Sequence, residues 1–318
     1  MASKQWLADS FEEHRGHLRA VAYRMLGSLA EADDAVQDTW LRASRSNAAE
    51  VENLRGWLTT IVARVSLNML RSRRTHGEET LGGHLPDPVV TAEASSQPEE
   101  QALLADSVGL ALLIVLETLT PAERLAFVLH DVFKLPFEEI AAIVDRSPAA
   151  ARQLASRARR RVKGASATAP DTDHRRQREI VNAFFAAARA GDFDRLITVL
   201  DPDVVLHADF GKQRAPAPAI TRGPAAVAGL AMTGARLPDA VLIPVLINDS
   251  AGVVITTRGR PFSLMGFVIA AGRIVEIFAI ADSKRVARLA AGVLRSATPR
   301  TATAPGPDQI SFAASRLP

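Results

Sequence analysis

Residues 137–163, FEEIAAIVDRSPAAARQLASRARRRVK, decide the fold of the central part of this chain. Their apolar residues recur at helical spacing on both sides of a short polar turn, Asp145-Arg146-Ser147. Ser147 is a favourable helix N-cap, and Pro148 suits the first position of the helix that follows. Two short helices joined by such a turn form a helix-turn-helix, so the sequence predicts this motif here.

The segment in front of this motif carries clear helix starts. Thr120-Pro121-Ala122-Glu123 combines an N-cap threonine, a first-turn proline and a glutamate three residues after the cap, which together form a capping box. Pro136 is placed to open the next helix. The pattern predicts four helices, at 106–118, 121–132, 136–144 and 148–162.

The last of these helices is rich in cations. Residues 152–163 hold six bases and no acid, although a basic face that only meets solvent is the alternative. The second helix of a helix-turn-helix enters the major groove, where arginine bonds guanine and glutamine bonds adenine. Bases further along such a helix meet phosphates. The predicted DNA contacts are Ser147, Arg152, Gln153, Ser156, Arg157, Arg159 and Arg160.

The composition argues against several classes of protein. The chain has 318 residues, enough for two or three domains, and 47% of them are hydrophobic. It has no cysteine, and its seven histidines are scattered without an HExxH pattern, so we expect no disulfide, metal or other cofactor. The longest aliphatic run, 108–116, is too short to span a bilayer. We therefore expect a cytoplasmic protein without a membrane partner.

Glycine and proline clusters divide the chain into folded parts. They predict a linker at 76–105, a second break at 164–172 and a loose tail at 294–318. The folded parts that remain are 5–75, 106–165 and 173–293. The third begins with an amphipathic helix at 175–190, and we expect a curved antiparallel sheet after it, as in an α+β layer. The predicted strands are 204–206, 241–247, 253–257, 262–269 and 274–280.

Charge is separated within the first folded part, which reads as helical. Residues 31–38 (EADDAVQD) carry four acids and no base. Residues 64–74 (RVSLNMLRSRR) carry four arginines and no acid. Two short blocks of opposite sign indicate separate partners, whereas each block alone could be a solvated helix face.

The acidic block lies in a stretch that resembles a known family. Residues 30–43 (AEADDAVQDTWLRA) look like the core of domain 2 of bacterial sigma factors, and residues 54–74 resemble the adjoining segment that melts and reads the minus-10 element. Residues 119–161 are similar to sigma domain 4. The two domains occur in this order with no third domain between them, which resembles the extracytoplasmic-function (ECF) class of sigma factors.

The third part resembles a SnoaL-like cone domain, which is found fused to one ECF subgroup. Three motifs of that subgroup have counterparts here, HLPDP at 84–88, DFGK at 209–212 and ADSKR at 281–285. The first departs little from the subgroup pattern, whereas the second lacks glycines and the third keeps chiefly its lysine. The implied regulatory residues of linker and cone are Leu85, Pro86, Pro88, Asp209, Lys212 and Lys284.

The resemblance implies two all-α sigma domains followed by an α+β domain. It implies an alternative sigma factor that binds core RNA polymerase, through its β′ and β subunits, and recognises and opens promoter DNA. The helix-turn-helix would read the upstream element. The implied polymerase contacts are Glu31, Asp34, Asp38 and Trp40. The implied minus-10 contacts are Asn47, Asn53, Arg55, Trp57, Arg64, Arg71, Arg73 and Arg74.

We expect a protein that is not an enzyme, whose third part packs against the linker and biases the spacing of the two sigma domains. One alternative is a regulator that binds duplex DNA without polymerase. Another is a cone domain that senses an unidentified small ligand or works as an isomerase or cyclase. His207 and Asp209 alternate onto one strand face, with Arg222 and Arg258 as partners for such chemistry. Tyr23 is the single tyrosine, so the third part lacks a tyrosine oxyanion donor.

Overall fold

The structure is a computed structural model that describes residues 2–46, 51–75, 85–93, 109–165, 170–211 and 219–297. Its first part, the N-terminal bundle, consists of α1 (Ala2–Leu26), α2 (Leu29–Ala43) and α3 (Leu54–Thr75). Leu18, Val36 and Leu58, one from each helix, are almost fully buried between them. Gly27 ends α1 with a φ of 72°, a conformation that favours glycine.

The second part, the helix-turn-helix domain, has the predicted helices, with bounds that differ from the predicted ones by a few residues. They are α4 (Leu110–Glu117), α5 (Pro121–Phe127) with a π-helical turn at Val128–Val132, α6 (Phe137–Val144) and α7 (Pro148–Ala165). The capping box is present, because the Thr120 hydroxyl accepts from the Glu123 amide and the Glu123 side chain accepts from the Thr120 amide. Asp145 ends α6 in the left-handed region with a φ of 56°, which turns the chain toward α7.

The third part, the C-terminal domain, combines helices with a sheet. Its helices are α8 (His174–Ala190), α9 (Phe193–Val199), α10 (Pro224–Gly234), α11 (Ser283–Leu289) and α12 (Ala291–Ala297). Its strands are β2 (Leu200–Asp209), β3 (Ala219–Arg222), β4 (Ala240–Ile247), β5 (Ser250–Thr257), β6 (Arg260–Ala270) and β7 (Arg273–Ile280). None of the elements α9 to α12 and β3 was predicted. Helices α9, α11 and α12 and strand β3 hold too few residues for a periodic pattern, whereas α10 is apolar along its length and shows no polar face. The predicted fold class, two helical domains followed by an α+β domain, is confirmed.

The sheet is mixed, which corrects the prediction of an antiparallel sheet. Its strand order begins with β1 (Val90–Ala92) from the linker and is β1-β4-β5-β6-β7-β2-β3. Strands β4 to β7 form an antiparallel meander, but β2 runs parallel to β7, with His207 beside Phe278. A parallel pair needs a long crossover, and the chain from β3 through the meander supplies it. Strand spacing alone did not reveal this pairing.

The predicted linker contributes a strand to the sheet through residues 85–93, which we call the connector. Strand β1 (Val90–Ala92) pairs antiparallel with β4, and Val90 lies opposite Ile247. Leu85 and Val89 are buried. A strand of three residues leaves no readable pattern, and its partner lies more than 150 residues away, as in the Val89 amide bond to Asn248.

Different elements pack on the two faces of the sheet. Helices α8 to α10 cover one face through a core that includes Phe184 and Phe267. The connector, α4, α11 and α12 cover the other, which we call the connector face, through Leu85, Phe278 and Val286. The N-terminal bundle and the helix-turn-helix domain share one further core. The three parts therefore pack together in a closed arrangement.

Candidate promoter and polymerase interfaces

Helix α7 presents a polar face to solvent. Ala151, Ala155 and Ala158 are fully buried on its other side, where small side chains allow close packing on α5 and α6. The exposed residues among the predicted DNA contacts are Ser147, Arg152, Gln153, Ser156, Arg157 and Arg160. The closed arrangement therefore leaves this predicted recognition surface accessible.

Arg152 is held in place before any DNA arrives. Its guanidinium donates to Glu138 Oε1 at 3.3 Å and lies 5.4 Å from the centre of the Phe137 ring. Both members of the ion pair are more than half exposed, so the pair contributes at most about 1 kcal/mol to stability. Its main effect is to keep the guanidinium at the start of α7.

Two predicted DNA contacts have structural partners instead. Ser147 Oγ accepts from the Ala150 amide at 3.3 Å, so this serine caps α7. Arg159 lies 2.8 Å from Asp131 and is less exposed than its neighbours. These contacts account for both residues without DNA.

The first half of α3 uses its predicted minus-10 residues in local contacts. Asn53 Oδ1 accepts from the Gly56 amide at 2.9 Å, which caps the helix. Trp57 is half-buried and packs against the shared core. Arg55 is exposed and donates to His17 Nδ1 at 3.1 Å. Residue Asn47 lies outside the described residues.

His17 is a neutral imidazole in this contact. Burial, assisted by the Arg55 cation, lowers the pKa of His17 to about 4. Since Nδ1 accepts from Arg55, the proton resides on Nε2, which lies 3.0 Å from the Thr59 hydroxyl. The ring also meets the Phe133 ring of the helix-turn-helix domain edge-on at 5.2 Å. Arg55 is thereby linked to the second sigma-like domain through one histidine.

The second half of α3 contacts the helix-turn-helix domain directly. Arg64 donates to the Ala142 carbonyl on α6 at 3.1 Å. Arg73 donates to the Leu26 carbonyl and forms an ion pair with Glu31, which joins a predicted DNA contact to a predicted polymerase contact. Arg71 is exposed, and the side chain of Arg74 lies outside the described part of the structure.

The acidic residues of helix α2 differ in their ion pairing and exposure. Asp33 pairs with Arg19 at 2.6 Å, and Asp38 pairs with Arg42 at 2.9 Å. Asp34 is exposed, and no ion pair joins it to another described residue. Trp40 packs on Phe11 with 5.1 Å between ring centres and belongs to the core rim. Asp34 is therefore the carboxylate of this helix that is most available to a partner.

The predicted regulatory residues of the connector meet the C-terminal domain. Leu85, Pro86 and Pro88 are buried. Asp209, whose side chain is 2% exposed, accepts from the Leu85 amide at 3.1 Å. Lys284 is exposed and its backbone amide bonds Asp282, while Lys212 lies outside the described residues. The structure therefore brings the first two motifs together but not the lysine of the third.

An arginine missed by the sequence analysis completes this contact. Arg285 donates to Asp87 at 2.6 Å, to Asp209 at 2.8 Å and also to the Leu85 carbonyl. Arg288 adds a bond to Asp87 at 2.8 Å but is mostly exposed. We call Asp87, Asp209 and Arg285 the connector latch. The sequence signal that could have identified Arg285 is its place at the end of the ADSKR motif, since a guanidinium can bridge two carboxylates.

A second contact joins the C-terminal domain to the N-terminal bundle. Asn248, in the turn between β4 and β5, accepts from the Val89 amide at 2.8 Å and donates to the Tyr23 hydroxyl at 3.3 Å. The Tyr23 hydroxyl donates to the Asp87 carbonyl at 3.1 Å. Asn248 has a φ of 46°, which asparagine tolerates in a hairpin turn. Neither residue was singled out as a contact from the sequence.

The candidate acid–base residues lie on the connector face. His207 stacks on Phe278 with 5.1 Å between ring centres, and burial, with a contribution from Arg222, lowers its pKa. Asp209 is held by the connector latch, so the two side chains have different partners. Arg222 influences His207, whereas Arg258 lies at the turn between β5 and β6. The predicted His–Asp pair is therefore not assembled.

The buried carboxyl group of Glu276 should make the stability of the folded chain depend on pH. Burial on the connector face raises the pKa of Glu276 from its ordinary value of 4.5 to about 7, against the opposing effect of Arg222. Between these values the folded chain holds a proton that the unfolded chain releases, so stability falls as pH rises from 4.5 to 7. Glu276→Gln should remove this slope and raise the melting temperature relative to wild type at pH 8, with little difference at pH 4.5. Scanning calorimetry at both pH values tests this, and an equal shift at both would contradict it.

Two classes of site are not found in the described residues. No group of three metal-ligating side chains is arranged there to hold an ion. None of the described helices combines the length and apolar character needed to cross a bilayer.

Known protein families match both helical parts. The model of Sigma-70 region 2 matches residues 10–76, and that of Sigma-70 region 4 matches residues 110–162. The first range corresponds to the N-terminal bundle, and the second begins with α4 and ends within α7. Both matches agree with the resemblance found in the sequence.

Known relatives extend the likeness along the chain. The ECF RNA polymerase sigma factor SigJ of Mycobacterium tuberculosis is 41% identical over 218 residues, which cover 68% of this chain and 69% of SigJ. The probable ECF RNA polymerase sigma factor SigI of the same species is 36% identical over 215 residues, 67% of this chain and 73% of SigI. A crystal structure of SigJ matches 87% of this chain and 97% of the SigJ chain, with a TM-score of 0.69 and 33% identity. On these matches the chain belongs to the extracytoplasmic-function family of RNA polymerase sigma factors, which bind core polymerase and direct promoter-specific initiation of transcription.

Proposed function

We propose that the C-terminal domain regulates this sigma factor by holding the connector and both sigma regions in a closed arrangement that must open at a promoter. The observation that carries the proposal is the connector latch, in which Arg285 binds two carboxylates and a connector carbonyl. The latch fixes the segment that joins the two DNA-binding regions. Binding through two modules gains affinity only if the joining segment lets both engage together.

Contacts between the two sigma regions support the same proposal. In the closed arrangement Arg64 of α3 bonds the Ala142 carbonyl of α6 at 3.1 Å. A minus-10 contact and the helix-turn-helix cannot then reach two separate promoter elements. Arg55 and Arg73 are also engaged, by His17 and Glu31. Both of these contacts lie inside the N-terminal bundle, so opening between the two sigma regions would free Arg64 directly, while Arg55 would lose only the Phe133 ring that packs on its partner His17.

The roles of individual residues follow from their exposure. We assign the upstream element to Arg152, Gln153, Ser156 and Arg157 on the exposed start of α7, with Arg160 on phosphate. Asp34, on the exposed face of α2, would contact a basic surface of core polymerase, on the β′ or β subunit, where complementary charge fixes register. Since its partners work in the cytoplasm, we place the protein there as well.

The alternative of an enzyme or ligand sensor in the C-terminal domain has weaker support. Asp209 is occupied by the latch, and the core beneath α8 to α10 is apolar, so we propose that the domain has no catalytic role. A small apolar crevice lies between connector and sheet, lined by Pro86, Ile114 and Phe278 among others, and a ligand would fit there only if the connector moved away. A thermal-shift screen with small ligands distinguishes the two cases: a ligand that raises the melting temperature indicates a sensor domain, and no shift with any ligand indicates a domain that only packs on the connector.

A disulfide between connector and sheet tests the proposal. Thr91 and Leu246 are paired across β1 and β4, and the Cα spacing of such pairs suits a disulfide. The chain has no cysteine, so Thr91→Cys with Leu246→Cys adds a single possible bond. We expect the oxidised double variant to lose most promoter-directed transcription with core polymerase, and a reductant to restore it.

A matched disulfide controls for the chemistry. Val241→Cys with Thr256→Cys links β4 to β5 inside the C-terminal domain without touching the connector. This pair should leave transcription unchanged when oxidised. If the connector disulfide forms and transcription stays at the wild-type level, regulation through the connector is ruled out.

A further inference from the structure

Arg24 is a buried cation at the contact between the N-terminal bundle and the helix-turn-helix domain, which we call the seam. It lies near the end of α1 and is 2% exposed. One nitrogen of its guanidinium donates to the Ala20 carbonyl at 2.9 Å, and Nε is buried without a hydrogen-bond acceptor. Among the described residues no carboxylate forms an ion pair with it. A buried arginine normally has such a partner.

The helix-turn-helix domain supplies much of the cover over this cation. The Phe133 ring lies with its centre 5.1 Å from the Arg24 guanidinium carbon. The same ring also contacts His17, edge-on. Arg124 of α5 donates to the Arg24 carbonyl at 3.1 Å. When the two domains separate, water replaces Phe133 at the guanidinium.

Charge and burial therefore act against each other at the seam. Moving a cation out of water is costly, and a desolvated cation–π contact returns only part of that cost. The same burial lowers the pKa of Arg24 to about 10, which still leaves it charged at neutral pH. Closing the seam thus carries an electrostatic penalty that the apolar contacts around Phe133 must offset.

We infer that Arg24 sets the balance between the closed and open arrangements. Closure buries its unpaired cation, and the cost of that burial keeps the seam weak enough to open. The effect on transcription rests on the proposed function, in which the closed arrangement is inactive. The balance itself is a property of the free chain. In the closed arrangement the Phe133 ring packs over the Arg24 guanidinium, and the cost of burying that charge opposes closure.

Labelled full-length chain tests this inference without polymerase. Ser44 and Ala149 are exposed residues on the two domains, and cysteines placed there carry a donor and an acceptor dye. Energy transfer then reports the closed fraction as urea is added. Arg24→Met, a neutral side chain of similar length, should lower the equilibrium constant for opening about tenfold, since apolar replacement of a buried ion is often stabilising.

Two variants complete the experiment. Arg24→Lys keeps the cation and should open as wild type does, while Phe133→Ala removes the cover and should open at lower urea. If Arg24→Met opens as easily as wild type, the inference is overturned and the proposed regulation through the connector is untouched. If Arg24→Met closes the chain but promoter-directed transcription does not fall, the inference holds and the closed arrangement is not the inactive one.

Discussion

Arg285→Met is expected to destabilise the attachment of the connector by about 3–5 kcal/mol, the usual effect of removing one partner from a buried ion pair. The two carboxylates left behind are shielded from water, with exposed fractions of 12% for Asp87 and 2% for Asp209. Methionine keeps the apolar stem of Arg285 but supplies no donor, so the Leu85 carbonyl also loses a partner. The connector should therefore leave the sheet more readily, and promoter-directed transcription should rise.

The measurement is urea unfolding of the full chain together with transcription from a cognate promoter. Arg288→Met is the matched control, because Arg288 bonds the same Asp87 from a position that is 60% exposed. An exposed pair contributes only about 0–1 kcal/mol, so this variant should stay close to wild type. Equal small effects of both variants would mean that the latch does not hold the connector.

Arg152→Ala is expected to weaken recognition of the upstream element by about 1–3 kcal/mol, or roughly 5- to 150-fold in open-complex formation. The guanidinium projects from the exposed start of α7, and Glu138 and Phe137 orient it before binding. A bidentate contact to a base supplies a discrimination of this size. Wild-type and variant holoenzymes are compared on a cognate promoter and on promoters altered at single upstream base pairs.

Glu138→Gln controls for the local ion pair. It breaks the exposed bond to Arg152, which affects stability little, and leaves the guanidinium able to meet DNA. A loss with Arg152→Ala that is equal on every promoter sequence would assign the residue to phosphate rather than to a base. The Glu138→Gln variant should keep its sequence preference.

The helical domains were predictable because their signals are local. The capping box at Thr120 and the N-cap at Ser147 each satisfy helix ends within three residues. Such contacts depend little on the rest of the fold. The predicted bounds differ from the observed ones by a few residues, as at the end of α5, where the chain continues as a π-helical turn.

The closed arrangement was not predictable in detail, because its contacts join distant residues. Strand β1 has only three residues, and the parallel pairing of β2 with β7 follows from the whole path of the chain. The expectation that the third part packs against the linker rests on the apolar, proline-containing motif Leu85-Pro86-Asp87-Pro88 in an otherwise polar segment. The partners that fix it, Arg285 and Asn248, come from parts of the sequence without a pattern that points to the connector.

Gly27 illustrates how several parts meet at one point. A side-chain carbon there would lie 2.6 Å from a Glu117 oxygen and 3.2 Å from Pro86, so the helix-turn-helix domain and the connector both approach this turn. The Asp87 amide also bonds the Gly27 carbonyl at 2.7 Å. Sequence pattern marks the glycine as a helix end, but only the assembled fold explains the close approach.

Energy transfer between dyes at Ser44→Cys and Ala149→Cys, compared in the free chain and in the open complex with core polymerase, tests the central claim most directly. The closed arrangement keeps the two sigma regions in contact, whereas promoter elements lie more than one turn of DNA apart. We predict that energy transfer falls when the open complex forms, because the two DNA-binding regions then lie roughly 34 Å or more apart, one helical turn of DNA. Open complexes that form while the dyes stay at their free-chain distance would contradict the account.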